Sequence, residues 1–166
     1  MRHTFHTEQW LPYPTEQVFA FFADPANLPP LMPRWQRARV ERSNYVAPPG
    51  SSSAAVAAGE GSLITISFRP IPLIPLRLEW DAYIAEFRWN DFFCDEQRRG
   101  PFHYFRHCHR VRQERNGTVV SDVVEYELPL GRLGDLVNSL AMKRQIRALF
   151  NYRQKMLPVL LAAAGR

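Results

Sequence analysis

The chain reads as an α+β domain, with an antiparallel sheet of about seven strands wrapped around one long C-terminal helix and two short helices between the first two strands. Three observations predict it. Apolar and polar residues alternate with a period of two through most of residues 62–128. Gly100-Pro101 and Asn116-Gly117 punctuate that stretch with tight-turn signals. From about Leu133 the period changes, and Met142, Ile146, Leu149, Phe150, Met156, Leu157, Leu160 and Leu161 recur at intervals of three and four.

Each element follows in order. Residues 2–11 form the first strand. Thr15 is placed to N-cap a helix whose apolar stripe is Val18, Phe19 and Phe22, and Asp24-Pro25 opens a second short helix with Asp as cap and Pro at its first position. Leu31-Met32-Pro33-Arg34-Trp35 ends it, and residues 37–46 make the second strand. Residues 47–61, rich in Ala, Gly, Ser and Pro, read as a mobile loop inside a single domain spanning 1–166. Strands follow at 62–69, 76–87 and 91–98, with the proline-rich Pro70–Pro75 interrupting a plain meander. Trp80, with Leu78, Ala82 and Ile84, takes the inward side of its strand. Phe93, Asp95 and Gln97 share a face, but the pattern does not say whether that face is buried. The last helix, from Leu133 to Leu157, would be about 37 Å long, with Pro158 kinking or ending it. Arg153 falls within its apolar stripe and needs an acidic partner, a route to water or an anionic ligand.

The most informative strand is Phe102–Arg112. His103, Phe105, His107, His109 and Val111 fall on one face; Tyr104, Arg106, Cys108, Arg110 and Arg112 fall on the other. Three imidazoles on an otherwise apolar face each bring a donor and an acceptor to satisfy, which suggests the lining of a ligand cavity. Across the Asn116-Gly117 turn two registers fit. One sets His109 opposite Val124 and His107 opposite Tyr126; the other sets His109 opposite Asp122 and His107 opposite Val124. Either continues the histidine face into Asp122, Val124 and Tyr126 and places a glutamate across from Arg106. His107 and His109 could chelate a metal with His103 or Asp122, but a hydrogen-bonded lining accounts for the same residues, so no metal or cofactor is expected. Asp122 beside His109 could also act as an acid–base pair.

Length and composition fit one core-forming domain, with 46% hydrophobic and 13% aromatic residues. The N-terminus lacks the apolar run of an export signal and no stretch is long enough to span a membrane. Cys94 and Cys108 are therefore expected to be free thiols of a cytoplasmic protein. The net charge of +5 comes from 21 basic residues, 19 of them arginine and scattered along the chain. No basic stripe interleaved with aromatics appears, so nucleic acid is not expected as a partner, whereas peripheral contact with an anionic membrane surface is compatible with the charge.

The element order resembles the helix-grip fold of the START and Bet v 1 superfamily, also called SRPBCC or polyketide cyclase/dehydrase-like. Pro14–Phe19, Asn27-Leu28 and Pro33-Arg34-Trp35 look like its N-terminal helix pair. Phe93–Gln97, Gly100-Pro101-Phe102, His107-Cys108-His109, Gly117-Thr118, Asp122, Tyr126, Leu128–Gly131 and Phe150–Arg153 resemble a bacterial subgroup of ligand-binding members. The resemblance implies a cavity between sheet and helix that takes a hydrophobic or amphipathic small molecule such as a lipid, quinone or polyketide-like compound. Trp80, His103, Phe105, His107, His109, Asp122, Val124, Tyr126 and Arg153 are the expected ligand-binding residues. Two alternatives stand beside this reading: an aromatase/cyclase- or dehydrase-type enzyme using the His/Asp pair, and an accessory module that binds a partner protein or membrane.

Overall fold

The computed structural model describes residues 1–50, 56–129, 131, 135 and 141–164. Seven strands form one antiparallel sheet: β1 (His3–Leu11), β2 (Arg39–Asn44), β3 (Leu63–Phe68), β4 (Leu78–Arg88), β5 (Phe92–Arg99), β6 (Tyr104–Glu114) and β7 (Gly117–Glu127). Their spatial order is β1-β7-β6-β5-β4-β3-β2, so only the first strand leaves the meander, to pair with the last. Helix α1 (Thr15–Ala23) and three 3₁₀ turns, Pro25–Asn27, Pro29–Leu31 and Arg34–Gln36, connect β1 to β2. Helix α2 (Lys143–Ala164) packs its buried residues Ile146, Phe150, Arg153, Leu157 and Leu161 toward the core.

The β6–β7 hairpin follows the second register, with His107 opposite Val124 and His109 opposite Asp122. Pairing continues to Glu114 and Gly117, leaving Arg115-Asn116 as the turn. Gly117 is required there, because a Cβ would overlap the carbonyl oxygen of Leu11 and crowd the Trp10 ring. Arg106 and Arg110 lie on the outer face, as the alternation predicts. Arg106 binds Glu96 at 2.6 Å and also Glu86, and Arg110 binds Asp91 at 2.6 Å.

Several sequence expectations need correction. Thr15 is the first helical residue and not the cap; its hydroxyl bonds Thr118 at 3.1 Å, tying α1 to β7. Pro158 does not end α2, which runs through it to Ala164. A helical proline deprives the carbonyl four residues earlier of its donor. That carbonyl belongs to Gln154, and the Gln9 side-chain amide donates to it at 2.8 Å. Gln154 returns the contact, donating to Thr7 Oγ1 at 2.8 Å and to the Glu8 carbonyl at 3.1 Å. The expected helical stretch at 133–140 falls mainly outside the described residues. In the 47–61 segment, Ala57 and Ala58 are buried, and the Ala58 amide donates to the Ala23 carbonyl at 2.9 Å. This part of the segment is thus built into the core, while residues 51–55 lie outside the described set.

Cys94 and Cys108 are not free thiols. They face each other directly across β5 and β6 with Cα atoms 4.1 Å apart, and their sulfurs are joined in a disulfide. The β5–β6 register, which the alternation alone did not provide, brings them together. The inference of a cytoplasmic compartment from free thiols therefore does not hold.

Candidate functional site

The inner face of β5, β6 and β7 carries a closed cluster of ionisable side chains. Because His109 pairs with both Phe93 and Asp122, and His107 with both Asp95 and Val124, the register alone assembles it. His107, His109 and Asp122 are each at most 7% exposed. The Oδ1 atom of Asp122 lies 3.0 Å from His107 Nε2 and 2.6 Å from His109 Nδ1. The His107 contact is a well-formed hydrogen bond. The His109 contact is shorter but lies off the direction in which its N–H would point, so it is an electrostatic contact and not an aligned bond. On the opposite side of the two rings, Asp95 Oδ2 stands 3.7 Å from His107 Nδ1 and 4.0 Å from His109 Nε2. Phe93, at 4.6 Å between ring centroids, and Phe22, at 5.3 Å, enclose the His109 ring.

Arg153 enters this cluster from α2. Its guanidinium lies over Phe22 and Phe150, 5.1 and 5.6 Å from their ring centroids, and its buried Nε has no hydrogen-bond partner among the described residues. Its charge nevertheless acts on both carboxylates. Burial opposes ionisation of Asp122, but Arg153 and the two imidazoles outweigh it and hold this carboxyl well below the usual range. Asp95 moves the other way: burial raises it, only partly countered by His107 and Arg153. Burial, then the neighbouring His107, lowers His109 to about 3, so its imidazole is neutral near pH 7.

The other expected site residues divide. Trp80, Phe105 and Tyr126 do face inward, with Trp80 edge-on to Phe105 at 4.4 Å and Phe102 bridging to Tyr126 at 5.9 Å. Val124 is buried against α2 with Ile146 and Phe150. Val124, Tyr126, Phe105 and Phe102 pack in one cluster with Ile146 and Phe150 of α2. His103 is a correction: it lies before the first residue of β6, so the strand alternation does not extend to it, and it is exposed, with its backbone amide donating to the Glu127 carbonyl at 2.8 Å. Asp95 was missed as a member of the cluster, although its shared parity with Phe93 was visible.

A second feature lies on the other side of α2. A cleft of about 530 Å³ runs between α2 and the Pro33–Gln36 turn, lined by Trp35, Leu149, Met156, Tyr152, Gln36 and Gln145 among others. Successive helical residues are about 100° apart, so α2 presents two stripes, one to the core and one to the cleft. Arg153 lies on the core stripe only about 40° from Leu149 on the cleft stripe. Trp35 is 41% exposed and forms part of the cleft wall. Gln36 is 4% exposed, and its Oε1 has no hydrogen-bond partner among the described residues. The amide of Arg69 donates to the Gln36 carbonyl at 2.7 Å, and the Gln145 side chain donates to the Pro70 carbonyl at 2.9 Å. These bonds anchor the start of the Pro70–Leu76 loop at the cleft rim. Leu73 in that loop is fully exposed, and Ile71, Ile74 and Leu76 are also exposed.

Comparison with solved structures finds the same fold at low identity. TTHA0849 from Thermus thermophilus superposes with a TM-score of 0.70 at 19% identity, covering 99% of this chain and 100% of that one. Ara h 8.0201 gives a TM-score of 0.61 at 13% identity over 95% and 98% of the two chains. Norcoclaurine synthase from Thalictrum flavum, in complex with dopamine and hydroxybenzaldehyde, gives 0.60 at 14% identity over 95% and 87%. No curated protein sequence matches significantly. No described helix is long and apolar enough to cross a membrane. The sequence profile for polyketide cyclase / dehydrase and lipid transport matches residues 11–150, from the end of β1 to the Phe150 turn of α2, and the chain, with its Bet v 1-like helix-grip fold, belongs to that family.

Proposed function

We propose that this domain binds an amphipathic small molecule, of the lipid, quinone or polyketide-like class, in the cleft between α2 and the Pro33–Gln36 turn. The carrying observation is the cleft itself. Its volume of about 530 Å³ suits a drug- or lipid-sized ligand, and its wall is largely apolar with a few polar groups. Trp35, Leu149 and Met156 would take the apolar body of the ligand, and burial of that surface would supply most of the affinity. The unpartnered Gln36 Oε1 would accept a hydrogen bond from a ligand hydroxyl or amine, which fixes orientation. The exposed apolar loop at the rim supports exchange of the ligand with a membrane surface, consistent with a net charge of +5.

The enzymatic alternative draws on the His107–Asp122–His109 cluster, but that cluster is closed and a molecule in the cleft is separated from it by the core stripe of α2. Geometry therefore supports binding over acid–base chemistry in this arrangement.

The test is a thermal-shift and calorimetric panel of fatty acids, long-chain alcohols, quinones and aromatic polyketides. A ligand at 100 times its Kd should stabilise the fold by about 2.7 kcal/mol. For a domain of this size that raises the melting temperature by about 5–11 °C. Met156→Trp, which fills the cleft, should abolish the shift and leave the unliganded melt close to wild type. Gln36→Leu should weaken hydroxyl-bearing ligands selectively. Failure of every ligand to shift the wild type, or a shift that survives Met156→Trp, would overturn the assignment.

A further inference from the structure

The arrangement of hydrogens around Asp122 has a consequence for the space on the other side of the two imidazoles. An ionised carboxylate can only accept, so a neutral imidazole facing it presents its N–H. Asp122 Oδ1 accepts from His107 Nε2 at 3.0 Å, and a bare Nδ1 lone pair on His109 would be repelled by the same anion only 2.6 Å away, so these nitrogens carry the hydrogens. The bare lone pairs are then on His107 Nδ1 and His109 Nε2. Both point toward Asp95 Oδ2, at 3.7 and 4.0 Å. Three acceptors converge on one small buried space with no donor among them. A hydrogen on Asp95 cannot bridge such distances, which exceed the reach of an O–H···N bond.

We propose that Asp95, His107 and His109 form a binding site for a divalent first-row transition ion of the zinc type, with Asp122 as the outer carboxylate that orients both imidazoles. One nitrogen from each imidazole and one carboxylate oxygen lie within 4.8 Å of one another. Metal–ligand bonds of about 2.0–2.1 Å at tetrahedral angles place ligand atoms roughly 3.4 Å apart, so small side-chain rotations close the site. A ligating histidine ordinarily donates its other N–H to a carboxylate, and here Asp122 is the carboxylate that faces both rings, accepting from His107 and lying 2.6 Å from His109 Nδ1. Two imidazoles and a carboxylate, with no thiolate, suit a borderline ion over a soft one. The charges also fit. Two carboxylates against one guanidinium leave a formal negative charge beside aromatic rings, which a divalent cation offsets. Arg153 weakens the site without cancelling it. The sequence offered only His103 or Asp122 as a third ligand; the β5–β6 register supplies Asp95 instead.

The experiment uses full-length protein dialysed against a chelator and titrated with Co²⁺ alone, then with Zn²⁺ as competitor. One equivalent of Co²⁺ should produce ligand-field absorption in the visible range, displaced by one equivalent of Zn²⁺. Asp95→Asn, which keeps the shape, should abolish it in protein whose circular dichroism is unchanged. Asp122→Asn should retain all three ligands but bind about 10- to 100-fold more weakly. Long-range ¹H–¹⁵N spectra of the wild type provide a check that needs no variant. Zn²⁺ should shift His107 Nδ1 and His109 Nε2 and leave the imidazoles of His3, His6 and His103 in place. Absence of the Co²⁺ spectrum in folded wild type, or metal-induced shifts confined to the three exposed or peripheral histidines, would refute the site and leave a bound water as the occupant.

Discussion

If the histidine face is a closed network and not a cavity lining, His107→Phe should destabilise the fold strongly and leave ligand choice alone. In the structure His107 is 7% exposed and donates to the ionised Asp122 at 3.0 Å, with Phe150 edge-on at 5.5 Å. Phenylalanine keeps the shape but removes the donor. A lost hydrogen bond to a buried charged acceptor costs about 1.5–3 kcal/mol. The larger ring adds an overpacking cost of about 1 kcal/mol or more in so tight a space. A total near 3 kcal/mol lowers the melting temperature by about 6–12 °C for a domain of this length. Thermal and urea melts in chelator-containing buffer measure it free of any metal contribution. The double variant His107→Phe/Asp122→Leu sharpens the test: with the carboxylate gone, its penalty should be less than the sum of the single penalties. A His107→Phe protein that melts like the wild type but changes its preference among fatty acids, quinones and polyketides would refute the closed-network reasoning and restore the cavity expected from sequence.

Four further outcomes are expected. Reduction of Cys94–Cys108, which are 14 residues apart, should cost up to about 3 kcal/mol through loop-closure entropy, read by urea melts with and without dithiothreitol; identical melts would contradict it. Gly117→Ala should cost about 1–3 kcal/mol because the new methyl meets the Leu11 backbone, and a neutral result would show that the β1 end can move away. Gln9→Leu should cost about 1–3 kcal/mol by orphaning the Gln154 carbonyl, but much less in a Pro158→Ala background, where the helix supplies its own N–H; equal costs in both backgrounds would reject the proposed compensation. Leu73→Asp should reduce co-sedimentation with anionic lipid vesicles while leaving the melt unchanged, and undiminished sedimentation would remove the loop from any membrane contact.

Much of the fold was legible because it rests on periodicity. The alternation of Tyr104–Arg112 correctly separated Arg106 and Arg110 from His107 and His109, and one of the two registers considered is the one adopted. What failed depends on information outside a single strand. Cys94 and Cys108 could be matched only once β5 was aligned with β6, and the same alignment brings Asp95 to the imidazoles. His103 shares the parity of His107 but lies before the first paired residue, Tyr104, so parity no longer decides its direction. Pro158 obeyed its local rule, removing a donor from α2, yet Gln9 on a distant strand supplied a replacement. The cleft escaped notice because α2 was read as one apolar stripe, although Leu149 and Met156 face a different way from Phe150 and Leu157.

The cluster and the cleft also differ in what they ask of the chain. Burying a charged network is a weak route to stability, since well-packed apolar residues of similar volume often do as well or better. The neighbouring positions show that this sheet can be filled that way: Val124 and Tyr126, on the same face of β7 as Asp122, pack with Ile146 and Phe150 of α2. Two imidazoles, two carboxylates and a guanidinium at the next positions therefore carry a desolvation cost that core formation does not demand. The cost is reduced where Asp122 meets both rings, but three lone pairs still converge beside Asp95. A cation at that point would remove the mismatch and bind β5 to β6 on the inner face, opposite the disulfide that already joins them on the outer one. The cleft needs no such compensation, because its apolar wall is open to solvent and gains when a ligand covers it. One helix thus serves both places, with Arg153 turned toward the charged interior and Leu149 and Met156 toward the cleft. This separates the residues whose substitution should alter metal affinity from those whose substitution should alter ligand choice.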